Sequence, residues 1–98
     1  MKIPEKVKIG GDVFTVNITD HIKGGEVYNG EVRHDDLEIN IRPLIGSRRD
    51  GTFIHEVVHS ILEHIGDHDQ DERFVDTFAH LLHAVIVDNP DMFEGKSK

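Results

Sequence analysis

The chain has 98 residues, no Cys and a formal net charge of −8. A single domain of this length buries only about 60% of its unfolded surface, so its core is modest and a bound metal would add to folding energy. Without Cys, disulfides, thiolate metal sites and a Cys nucleophile are excluded, and the acidic balance argues against binding a nucleic-acid backbone. No apolar run approaches the ~20 residues of a membrane span, and the opening MKIPEKVKIGG lacks the apolar segment of a signal peptide. The expected location is the cytoplasm, with a protein or peptide as partner and neither membrane nor nucleic acid.

Residues 6–9 and 12–19 alternate and are joined by Gly10-Gly11, which predicts a β-hairpin with Phe14, Val16 and Ile18 facing the core. Residues 20–25 form a polar connection. Residues 26–34 are a third strand weakened by Asn29-Gly30, and Asp35-Asp36 turns the chain into a fourth, 37–42. There Leu37, Ile39 and Ile41 face the core while Glu38, Asn40 and Arg42 face water, and Pro43 ends the strand.

Ser47 with Asp50 three residues later is a capping-box-like helix start, and Gly66 is the stop. On this first helix Ile54, Val58, Ile61, Leu62 and Ile65 form the apolar face, His55 and His59 its border, and Thr52, Glu56, Ser60 and Glu63 the wet side. An acidic connection, 67–71, leads to a second helix over 72–88 whose apolar face is Phe74, Val75, Phe78, Leu81, Leu82, Val85 and Ile86. Asn89-Pro90 stops it, and the tail 94–98 is expected to fray. Strands first and helices after predict one α+β domain over residues 1–98. A small, mostly antiparallel sheet of about four strands packs on two antiparallel C-terminal helices. An edge position for the fourth strand would let a peptide add to it through main-chain hydrogen bonds.

The chemistry concentrates in the first helix, where TFIHEVVHSILEHIG (52–66) places His55, Glu56 and His59 as H-E-x-x-H. Two His four residues apart share a helix face with about 5–6 Å between Cβ atoms, close enough for both rings to reach one zinc ion at about 2.0–2.1 Å. Glu56, rotated about 100° from His55, flanks such an ion and is placed to take a proton from its water. The bland alternative is a surface helix with a His-rich border.

Two His do not hold a catalytic zinc, and a third protein ligand is needed. Glu72 opens the second helix, and a helical hairpin brings that first turn back beside the first helix. Asp76, four residues on, is placed to accept the N–H of a ligand His. Other readings stay open: Asp69 and Glu72 form an ordinary D-x-x-E capping box, His68 lies in the connection within swinging distance, and Asp76 is a substitute ligand. His64 lies on the far side of its helix. His80 and His83 continue the stripe of Glu72 and Asp76, either as a wet border or as donors to a developing oxyanion. Tyr28, His34 and Arg33 are weaker candidates for that donor or for substrate contact.

In these residues the chain resembles the H-E-x-x-H zinc peptidases whose third ligand is a Glu from a following helix, the gluzincins. Among them it is most similar to the short bacterial and phage proteins of the ImmA/IrrE type. The resemblance rests on TFIHEVVHSILEHIG and DERFVDTFAHLL, about a third of the chain. It implies a Zn2+-dependent peptidase with His55, His59 and Glu72 as ligands, Glu56 as general base and Asp76 behind a ligand. Its partners would be a protein or peptide substrate and a regulatory protein. Two departures stand out. Where the family's second motif usually reads E-x-E-A-N-x-F-A, ERFVDTFA has Phe74 at the second acidic position and Asp76 at the Asn. The longer metzincin pattern fails, because Leu62 and Ile65 occupy its Gly and third-His positions. The rivals to an enzyme are a non-catalytic, metal-stapled interaction protein of a phage or mobile element, and an acidic surface that binds a host protein.

Overall fold

A computed structural model describes residues 1–24 and 28–93. β1 (Lys6–Ile9) and β2 (Asp12–Ile18) form the expected antiparallel hairpin. Gly10 and Gly11 carry it at φ of 58° and 96°, the positive values a tight two-residue turn demands. β3 (Gly30–Arg33) and β4 (Glu38–Ile41) follow, then α1 (Ser47–His64), α2 (Glu72–Asp88) and the short α3 (Pro90–Phe93). The start of the expected third strand at residues 26–27, and the expected fraying of 94–98, lie outside the described residues. Among the described residues no helix is long and apolar enough to cross a membrane.

The sheet runs β1-β2-β4-β3 and is mixed. β3 pairs antiparallel with β4, but β4 lies parallel to β2. Alternation identifies strands without saying which neighbour each takes. Here the connection after β2 carries the chain past the sheet, so that β3 lands on the outside and β4 is inserted between β2 and β3. The fourth strand is therefore central, not an edge, and the edge strands are β1 and β3.

Insertion covers both faces of β4. Ile39 and Ile41 are fully buried, and Asn40, expected to face water, is 4% exposed. Its amide is satisfied in place: Asn17 Nδ2 donates to Asn40 Oδ1 at 2.9 Å, and Asn40 Nδ2 donates to Glu31 Oε2 at 2.9 Å. Phe14 is in the core as expected, whereas Ile18, at the strand's end beside the N-terminal segment, is half exposed.

α1 packs on β1, β3 and β4 with one side and on α2 with another, while α2 packs on α1 and α3. The result is three layers with α1 in the middle, and it corrects the face assigned to each helix. Glu56 and Ser60, expected on the wet side, are buried at 6% and 0% exposure, while Ile61 and Ile65 at the far end of α1 are exposed. On α2 only Val75 and Ala79 are buried, Leu82 and Ile86 pack partly against the core, and Phe74, Phe78, Leu81 and Val85 stay largely in solvent. The two Phe rings stack on one another, centroids 5.6 Å apart.

The caps also differ. Gly46, not Ser47, is the N-cap of α1 and supplies no side-chain cap. Asp50 is buried and pairs instead with the Met1 ammonium at 3.3 Å and with Arg49 Nη2 at 2.9 Å. Gly66, at φ 91°, stops the first helix as expected. At α2 the cap is Asp71, whose carboxylate accepts from the Arg73 backbone N–H at 3.0 Å. Glu72 is thereby released from the capping role that Asp69 would have shared with it.

Candidate metal centre

The middle and outer layers meet at His55, His59 and Glu72. His55 Nε2 and His59 Nε2 are 3.1 Å apart, and Glu72 Oε1 lies 3.0 Å from the first and 3.2 Å from the second. A tetrahedral ion about 2.0–2.1 Å from each ligand sets its ligands about 3.3 Å apart. The three atoms thus form a nearly equilateral triangle of the size such an ion requires.

The outer nitrogens decide what the inner ones can do. Asp76 Oδ1 is 3.2 Å from His55 Nδ1, and Gln70 Oε1 is 2.6 Å from His59 Nδ1. Both acceptors call for a proton on Nδ1, which leaves each Nε2 as a lone pair turned toward the other ring and toward Glu72. The Gln70 amide is itself oriented, because its nitrogen donates to the His59 carbonyl oxygen at 3.2 Å. Two lone pairs and a carboxylate oxygen converge with no donor among them, an arrangement that repels itself unless a cation sits between. His55, His59 and Glu72 form a group whose geometry could hold a metal ion. Two imidazoles and one carboxylate suit several divalent ions.

Asp76 is where the sequence placed it. Gln70 was passed over as part of an acidic connection, although it is the one uncharged residue among Asp69, Asp71 and Glu72. His68 does not swing in, since its Nδ1 pairs with Glu63 Oε2 at 2.7 Å, and His64 Nε2 donates to the Gly10 carbonyl at 2.8 Å on the far side.

Glu56 lies under β3. Gly30 makes that approach feasible: a Cβ there would come within 2.8 Å of Thr52 Cγ2 and 3.2 Å of Glu56 Oε2. Among the described residues no group donates a hydrogen bond to the Glu56 carboxylate. Burial pushes its pKa up to about 7; a positive charge on His59, where that ring takes up a second proton, pulls against this, and the Glu72 and Glu31 carboxylates push it further. Glu31 remains an anion. Burial draws its pKa upward, but hydrogen bonds from Asn40 and from the backbone N–H groups of Lys23 and Gly24 outweigh that and hold it below the usual value.

A cleft of about 540 Å3 opens between α1, α2 and the start of β3. His55, Glu56, Glu72 and Asp76 line it, and so do Tyr28, His80 and His83, three of the five candidates for substrate or oxyanion contact. Arg33 and His34 do not. Arg33 Nε pairs with Asp36 Oδ2 at 3.1 Å, and the His34 ring stands edge-on to Phe14 with centroids 6.0 Å apart. Arg48 also lines the cleft and was missed, although it sits on the helical stripe of His55. No protein-family model matches the chain, and no curated protein or solved structure matches it significantly. Function has to be read from the chemistry of the cleft itself.

Proposed function

We propose that the chain is a zinc-dependent metallopeptidase of the gluzincin kind, similar to the ImmA/IrrE-type proteins, acting on a protein or peptide. The observation that carries this is the triangle of His55, His59 and Glu72 beside a buried, hydrogen-bond-free Glu56 in one cleft. When bound, zinc supplies a Lewis acid that acidifies water and polarises a carbonyl oxygen.

The remaining steps belong to the chain's own residues. Asp76 and Gln70 keep both imidazoles in the tautomer that offers Nε2. Glu56 takes the proton of the attacking water and returns it to the leaving amine nitrogen, the exchange for which a carboxyl near pKa 7 is matched at neutral pH. β3, lying over Glu56 at Gly30, keeps bulk water off that carboxylate. Tyr28, His80 and His83 supply donors within the same cleft for charge developing on the carbonyl oxygen.

The test is hydrolysis of an unfolded protein substrate together with metal analysis. Glu56→Gln is expected to lower turnover by at least about a hundredfold with metal content retained, and His59→Ala to lose the metal. Turnover by Glu56→Gln at the wild-type rate would overturn the mechanism. Metal bound without hydrolysis of any substrate would favour the metal-stapled interaction protein.

A further inference from the structure

We infer that Arg48 seats a carboxylate of the substrate at the end of the cleft remote from the metal ligands; the inference deepens, and rests on, the peptidase reading. Arg48, Thr52, His55 and His59 recur at i, i+4, i+7 and i+11 and so form one stripe along α1. Seven residues of helix separate Arg48 from His55 by about 10 Å along the axis. α2 lies alongside with a matching stripe of Glu72, Asp76, Ala79 and His83, all in the same cleft but for His59. The two run antiparallel: Glu72 meets His55 and His59 at one end, and His83 Nδ1 would lie 3.7 Å from a Cβ at Gly51 near the other.

The cleft is therefore polarised. Its metal end carries Glu56, Glu72 and Asp76, while Arg48 is the one Arg or Lys among the described residues that line it. Arg33 and Arg49 are each held by an Asp, at 3.1 and 2.9 Å. The Arg48 guanidinium has no ion pair or hydrogen bond among the described residues; it is the residue's backbone carbonyl that accepts from Thr52 Oγ1 at 2.7 Å. In a chain of net charge −8, an exposed cation left free at the lip of a cleft is available to a ligand. A planar guanidinium matches a carboxylate in two parallel hydrogen bonds. The start of α1 adds to the attraction, since Gly46 provides no side-chain cap and Ser47 and Arg48 of its first turn, at the positive end of the helix dipole, line the cleft.

An extended peptide advances about 3.3 Å per residue. The carboxylate that reaches Arg48 accordingly belongs about three residues from the scissile bond. It is either an Asp or Glu side chain or the chain's own C-terminus.

Matched peptides carrying Glu, Gln or Lys two to four residues to either side of the cleaved bond, each as free acid and as C-terminal amide, separate the cases. kcat/KM is measured for the wild type, Arg48→Gln and Arg48→Glu, and Kd for the same peptides on the Glu56→Gln protein with and without the Arg48 changes. The wild type is expected to favour one carboxylate-bearing position by about fivefold, the upper range of an exposed ion pair. Arg48→Gln removes the preference and Arg48→Glu turns it toward Lys. A preference for free acid over amide identifies the terminus; one for Glu over Gln identifies the side chain. A wild type indifferent to the carboxylate, or an Arg48→Gln protein that keeps the preference, overturns the inference. If no peptide is cleaved, the peptidase reading fails instead, and the Kd series still decides whether Arg48 seats a carboxylate.

Discussion

α1 and α2 are helices of nearly equal length, 18 and 17 residues, with opposite habits. α1 buries polar groups, Asp50, Glu56 and Ser60, while α2 leaves Phe74, Phe78 and Leu81 about half in water. Neither habit follows from a helix's own pattern. α1 is covered by the sheet on one side and by α2 on another, so even its polar side is closed off, whereas among the described residues α2 leans on α1 and the short α3 alone. The lesson is that layer position decides burial, and that α2 serves the molecule more through Glu72, Asp76 and the preceding Gln70 than through its apolar arc.

The largest expected effect comes from removing the charge that α1 buries. The folded pKa of Glu56, about 7, exceeds its ordinary 4.5, so the folded state holds the proton more tightly than the unfolded one. Below pH 4.5 both states are protonated and there is no cost. As pH climbs toward 7 the cost grows, and above it ionised Glu56 lowers the stability of the metal-free protein by on the order of 3 kcal/mol. Glu56→Gln is therefore expected to raise Tm in chelator at pH 8 and to change it little at pH 4.5. Equal shifts at both pH values would deny that the buried carboxylate titrates in this window.

Core truncation compares the layers directly. Val58→Ala, at a side chain 2% exposed, is expected to cost about 2 kcal/mol, against under about 0.5 kcal/mol for Leu81→Ala at 58% exposure. Urea unfolding checks the pair, and similar losses would mean that something covers α2 in solution. The smallest effect lies in the contacts passed from the outer side to α1. Gln70→Leu deprives the His59 Nδ1 proton of its acceptor and is expected to weaken metal binding about tenfold with the fold intact. Competition with a chelator would measure it, and an unaltered affinity would show that ring orientation is set by packing alone.

What could be read from the residues was whatever repeats locally. His55, Glu56 and His59 sit on fixed turns of α1, Glu72 and Asp76 on fixed turns of α2, and alternation marked the first, second and fourth strands. Pairing was not legible, because β4 takes β2 as its parallel neighbour through a connection with no periodic signal. Nor was the burial of Glu56, since a pattern shows one apolar face and α1 is covered on more than one. Gln70 depends on where a loop happens to run. Arg48 does carry a signal, its seven-residue spacing from His55, but it lies between Ser47 and Asp50, whose pattern reads as a helix start, a role that Gly46 holds.

β3 is both the open margin of the sheet and the wall that lies over Glu56. Strand margins breathe more readily than strand centres, and Ile39 and Ile41 stay locked one strand further in. A fluctuation that lifts Gly30 therefore wets Glu56 while the oily centre around Phe14 remains dry, so this small protein can rehydrate its buried carboxylate without unfolding.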